Sequence, residues 1–265
     1  MAKENPANPD RRSGRSRKLA FRLAGLVAAV LTVLLYRCAQ PPTPERTPLQ
    51  AGHFDFYLLD LTHEAAWCED GNARRDQCRR LDAALANKRP LVLHGLWPEN
   101  RQAGTYPENC AAGPLKISTQ LRSRLDGFMP GAAEGLDQHE WHKHGGCSGL
   151  DAESYFAAAV DWTERVTRVL DEPVSAAAGG RTSGAALRAR IAAADSGLAE
   201  SVVFICKNLR TANPRNRQRP YLVSVRVCID KDGAGGGPGR LLRCESVQRR
   251  DQGCGRDFYV YDIRE

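Results

Sequence analysis

The sequence predicts a single α+β domain, and three observations lead there. Strand-like and helix-like stretches are intermixed along the chain instead of segregated. No internal repeat divides the 265 residues. Eight of the nine cysteines (Cys68, Cys78, Cys110, Cys147, Cys206, Cys228, Cys244 and Cys254) follow an apolar N-terminal segment. An even number downstream of an export signal reads as four disulfides formed in an oxidising compartment.

In chain order, residues 1–18 are a basic cytoplasmic tail. Residues 19–38 are a signal peptide or signal anchor: Leu19–Tyr36 is apolar apart from Arg22, and the basic flank keeps the N-terminus in the cytoplasm. No small-x-small pair marks a cleavage site, and Arg37 before Cys38 spoils a lipoprotein signal, so the reading leans towards an uncleaved anchor through residues 19–36. Residues 39–51 are a Pro-rich linker, with Pro41, Pro42, Pro44 and Pro48. The expected protein is therefore exported, periplasmic or extracellular, either free or membrane-anchored.

The folded part spans residues 52–265. Phe54–Leu59 reads as an aromatic-rich strand, and Pro90–Leu93 as a short strand running into His94-Gly95-Leu96-Trp97-Pro98. Cys68 and Cys78 sit in an intervening polar loop. Pro114–Phe128 reads as a helix. Asp151 caps a second helix to about Leu170, with Tyr155, Phe156, Ala159, Val160, Thr163, Val166 and Leu170 buried. Ala185–Ala194 is a small helix; Val202–Cys206, Tyr221–Ile229 and Phe258–Tyr261 are strands; Asp232–Gly239 is a Gly-rich turn.

Charge says little about partners. The chain carries +7, but residues 1–38 supply +6 of it and the remaining 227 residues only +1. Any attraction of a polyanion must be local.

Three of the six histidines fall within His139-Glu140-Trp141-His142-Lys143-His144-Gly145-Gly146-Cys147. On a helix at about 100° per residue, His139, Lys143, Glu140 and His144 lie near 0°, 40°, 100° and 140°. They would form one polar stripe, with Trp141 at roughly 200° facing a core. Histidine exchanges protons near neutrality, and an ammonium stabilises charge growing on phosphoryl oxygens, so the stripe suits chemistry on an anion. A solvated helix face is the plain alternative. A metal site fits poorly: the position four after His139 is Lys143, and no C-x-x-C pair is present.

The two segments together, Leu93–Pro98 and His139–Cys147, resemble the active-site segments of the ribonuclease T-2 family, the secreted acid endoribonucleases. The resemblance covers residues 52–263. It implies a central antiparallel β-sheet flanked by helices, and metal-free cleavage of single-stranded RNA with no cofactor and no obligate protein partner. The ribose 2′-hydroxyl would attack its own phosphate, giving a 2′,3′-cyclic phosphate and then a 3′-phosphate. By the same resemblance His144 is the general base and His94 the general acid. His139 positions phosphate, while Glu140 and Lys143 stabilise the pentacovalent phosphorus. Trp97 matches a base-stacking position, weighed against core packing. The implied disulfides are Cys68–Cys78, Cys110–Cys147, Cys206–Cys254 and Cys228–Cys244, with Cys38 left over. Five positions depart from the family pattern: Gly146 replaces its usual Thr, Thr62-His63 and Ala65 replace its Ser-Trp and Pro, and Glu99 stands where Asp is common.

Overall fold

Phe56–His63 is strand β1, and both its faces are covered. Phe56 and Leu58 pack in one apolar cluster; Tyr57, Leu59 and Leu61 pack in the main core on the other side. A strand buried on both faces belongs in the middle of a sheet. β1 lies between β2 (Leu91–Glu99) and β5 (Pro220–Asp230), antiparallel to each. The computed structural model describes residues 51–102 and 105–264.

Strand β4 (Val202–Asn208) pairs antiparallel with β5 on its far edge. Two short strands, β3 (Arg181–Thr182) and β6 (Phe258–Tyr259), complete six, with β6 parallel to β5 at Tyr221. The four long strands are thus antiparallel, as expected, and the single sheet with flanking helices confirms the α+β class.

The short helices are α1 (Glu64–Trp67), α2 (Asp76–Arg79) and α3 (Ala83–Lys88); with a helical turn at Cys68–Asn72 they replace much of the polar loop expected between the first two strands. Helix α4 (Thr119–Phe128) begins later than Pro114, because Ser118 accepts from the Leu121 N–H and caps it there. Next come α5 (Leu136–Lys143), α6 (Ala152–Ser175), α7 (Gly184–Ala194) and α8 (Ser196–Glu200). Asp151 caps α6 as expected, and all seven side chains assigned to its inner face are buried. The helix continues past Leu170 through Pro173, since Val174 is still core. At roughly 1.5–3 kcal/mol per fully buried large apolar side chain, this face is a main source of the domain's stability.

All four implied disulfides form. The basic tail, residues 19–36 with their membrane reading, Cys38 and the Pro-rich linker up to residue 50 lie outside the described residues. Among the described residues no helix is long and apolar enough to cross a membrane.

Candidate active site

The site is built on the sheet face that carries Asp60, Thr62, Ser224 and Arg226. On β2 the pairing skips a residue: Gly95 stands opposite Asp60 and Leu93 opposite Leu61, so His94 is the extra residue of a β-bulge. A bulge bends the strand and re-aims one side chain, and here it turns the His94 ring to Thr62, whose Oγ1 is 3.2 Å from Nδ1.

Helix α5 supplies the other half. Trp141 anchors it: the indole is buried against Tyr155 and Phe156, and its Nε1 donates to the Gly113 carbonyl at 2.7 Å. With Trp141 held inward, Glu140 points at the bulge. Its carboxylate accepts from Trp97 Nε1 at 2.7 Å and meets His94 Nε2 at 3.4 Å. A Cβ on Gly95 would lie 2.1 Å from Glu140 Oε2 and 2.5 Å from Trp97 Nε1, so this approach requires glycine.

The helical wheel holds for His139, Glu140 and Trp141 but not for His144. The helix ends at Lys143, and His144 adopts φ −121°, ψ −47° with its N–H still bonded to the Glu140 carbonyl. A three-residue 3₁₀ turn, Gly145–Cys147, follows. Leaving the helix lays the His144 ring against Trp97, stacked at 5.2 Å, while His94 meets the same indole edge-on at 5.6 Å. The Cys110–Cys147 bridge and the Asn109 N–H donating to the Lys143 carbonyl tie this turn to the loop after β2. Gly146 has a packing reason: a Cβ there would come 2.7 Å from Ala112 Cβ, which leaves no room for the family's Thr.

Electrostatics separate the two histidines. Burial opposes charge on His94, but the Glu140 hydrogen bond and the charges of Asp60 and Glu140 outweigh it and raise its pKa. Burial also opposes charge on Glu140, yet His94, His144 and Trp97 together hold its carboxyl below the usual range. His144 is pushed down to about 4, by burial first, with Lys143, His139 and His94 adding to it against Glu140. Its Nδ1 is buried without a hydrogen bond.

His139 and His142 are exposed and Lys143 is half-buried. Among the described residues none of these three side chains makes a hydrogen bond or ion pair, so His139 and Lys143 stand at the rim, near enough for their charge to act on His144. Trp97 is half-buried: it packs against the apolar cluster of Phe56 and Leu58 and also meets Glu140, His94, His144 and Arg226. Among the described residues no three His, Cys, Asp or Glu side chains converge as a metal-binding group.

Sequence reasoning missed three residues here. Asp60, buried, accepts from Ser224 Oγ at 2.9 Å and Arg226 Nε at 2.6 Å, and that guanidinium lies 5.0 Å from the centre of the Trp97 ring. Opposite charges inside two apolar strands were the available signal. Tyr106, one of two exposed large apolar side chains among the described residues, has its ring 6.2 Å from His144. Its place four residues before Cys110 could have flagged it.

Residues 54–235 match the Ribonuclease T2 family. The chain belongs to that family. It is an RNA endonuclease, in line with the two-segment resemblance. A ribonuclease of Aeromonas hydrophila is 28% identical over 222 residues, covering 81% of this chain and 89% of that protein. Ribonuclease I of Escherichia coli K12 is 28% identical over 172 residues, 52% of this chain and 64% of that protein. Among solved structures, an RNase MC1 variant in complex with 5′-GMP superposes with a TM-score of 0.59 at 25% identity, over 78% of this chain and all of that one.

Proposed function

We propose that this T2 ribonuclease cleaves single-stranded RNA by metal-independent transesterification, with His144 as general base and His94 as general acid. His144 takes the proton of the 2′-hydroxyl, and the 2′-oxygen bonds to the adjacent phosphorus. The bond from phosphorus to the 5′-oxygen breaks, and that oxygen leaves with the proton of His94. A 2′,3′-cyclic phosphate results. In the second step water gives a proton to His94, attacks phosphorus and opens the ring, and His144 returns its proton to the 2′-oxygen, leaving a 3′-phosphate. Lys143 meets the charge that grows on the phosphoryl oxygens, Glu140 keeps His94 protonated, and His139 holds a phosphate at the rim. Trp97 carries a splayed base or positions Glu140 and His144.

The observation that carries this reading is one indole with both histidines upon it, only one of them bonded to a carboxylate. That asymmetry is what an acid–base pair needs: one ring holds a proton, the other is free to take one. The four disulfides support folding in an oxidising compartment, hence export.

End-group analysis of products from a short oligoribonucleotide, with and without chelator, tests the proposal. Transient cyclic phosphate followed by 3′-phosphate, unchanged by chelator, is expected. Products with 5′-phosphate ends, or loss of activity on chelation, would refute it.

A further inference from the structure

The +1 net charge of residues 39–265 hides one concentrated strip. Residues 207–219 hold Lys207, Arg210, Arg215, Arg217 and Arg219 and no acidic residue, and all five are exposed. The turn that precedes a second arginine-rich segment, Arg74 to Arg80, braces the strip: buried Asp70 accepts from the Arg210 N–H at 2.7 Å and pairs with Lys207 at 2.6 Å, while Thr211 donates to Glu69. The strip is a built surface. Asn216 is buried, accepting from the Tyr221 hydroxyl at 2.8 Å, and Asn213 accepts from the Arg215 N–H. Arg219 lies over the Tyr259 ring at 4.7 Å. Arg74, Arg215 and Arg217 make no ion pair among the described residues.

Strand register relates the strip to the catalytic residues. Ile205 pairs with Ser224, which donates to Asp60 and stands opposite Thr62, the neighbour of His94. Lys207, two residues beyond Ile205 on β4, lies past a register shift between Ile205 and Cys206 and pairs with Tyr221. Across that shift Pro220, where the strip joins β5, pairs with Asn208, three β4 residues or about 10 Å from Ile205 at ~3.3 Å per residue. Along β1 the order is then strip, Thr62 with His94, and Leu58 opposite Trp97 with His144 stacked upon it. His94 is on the strip's side.

We infer that residues 207–219 form a docking strip for the RNA backbone on the 3′ side of the scissile bond. This rests on His94 being the general acid: the oxygen it protonates is the 5′-oxygen of the 3′ fragment, so that fragment leaves towards the arginines. Exposed, unpaired guanidiniums bind phosphates without reading sequence, which suits a strand held for cleavage rather than a chosen site.

The test uses Arg215→Ala/Arg217→Ala, two exposed side chains whose loss breaks no recorded contact; an unchanged melting temperature verifies the fold. Chimeric oligonucleotides carry a single cleavable ribonucleotide in a 2′-O-methyl background, extended on either the 3′ or the 5′ side. The expected result is a loss of about tenfold in kcat/KM for the 3′-extended substrate alone, with the 5′-extended substrate and a dinucleoside monophosphate unaffected. The slope of log affinity against log salt should flatten by about 1.4, at ~0.7 per lost phosphate contact. Equal losses on both extensions, or none, would overturn the inference. A fully 2′-O-methylated strand, titrated by fluorescence anisotropy, reads the strip without any chemistry. Failure of cleavage with intact, arginine-dependent binding would therefore count against the mechanism and for the strip. If the variant lost affinity for phosphatidylglycerol vesicles and kept it for the strand, the strip would serve a lipid surface and the inference would fall.

Discussion

Glu140 sets the behaviour of both histidines. It is 1% exposed, and its carboxylate is shared between the His94 ring and the Trp97 indole. Because His94 is raised above 6.5 and His144 is lowered to about 4, kcat/KM should rise through pH 4 as His144 loses its proton. It should fall again once pH passes the elevated His94 value. Asp60→Asn removes a charge that holds the His94 proton and leaves Arg226 unpaired beside it; both changes move the alkaline limb to lower pH, which a pH–rate profile reads directly. His94→Phe and His144→Phe should each lower turnover by roughly 10²–10⁴, with the double variant well short of the product of the two losses. His142→Phe, on an exposed side chain, should cost little. Near-normal cleavage by folded His94→Phe protein would rule out the assigned acid.

At the level of elements, the bulge in β2 and the C-terminus of α5 matter more than either segment's regular part. The Cys110–Cys147 bridge fastens the turn bearing His144 to the loop bearing Tyr106. Cys110→Ala/Cys147→Ala should lower stability on the order of 2–4 kcal/mol and depress turnover even where the protein stays folded. Denaturant titration and kinetics on the same sample separate the two effects. The junction of β1 and α1 carries a second titratable device. His63 is buried, and its Nδ1 accepts from the Ala66 N–H as the helix cap. Burial pushes it down to about 4 from 6.5, so the unfolded chain binds the proton first. Its contribution is complete above pH 6.5 and is lost as pH falls towards 4, about 3 kcal/mol in all. Asp171, pushed up to about 7 by burial, works in the opposite sense. The measurement is therefore differential: His63→Asn keeps a capping side chain, and its melting temperature should fall less than the wild type's between pH 6.5 and 4. An identical acid slope in the two proteins would show that His63 is not the sensor.

For the whole molecule, a sheet with one face sealed by α6 leaves the other face for the polar row from Arg226 to His94. That row is where a ribose and its phosphate must lie if the 2′-hydroxyl is the nucleophile. Neither DNA nor fully 2′-O-methylated RNA should then be cut. DNA hydrolysis at a rate comparable to RNA cleavage would mean that water attacks directly, and the acid and base would need reassignment.

Much was legible because it is local. An aromatic-rich apolar run marks β1, hydrophobic alternation marks β5, the capping Asp151 and its inner face mark α6, and Trp141 at the back of a polar stripe marks α5. The two motif segments carried the family, and with it the disulfide pairing. What the chain could not show is whatever depends on two distant segments meeting. His144 was placed on a helix face, but the helix stops before it: Gly145 permits a tight turn over Trp141, where a Cβ would sit 2.3 Å from the indole. The bulge at His94 exists only as a mismatch of register between β1 and β2. Asp60 and Arg226 look like isolated charges in apolar strands until pairing brings them 2.6 Å apart beneath Trp97. Residue types and their spacing determined which groups are available for proton transfer. Strand register and the close approach of the Glu140 carboxylate to Gly95 decided which histidine shares Glu140's charge and which stands neutral beside it.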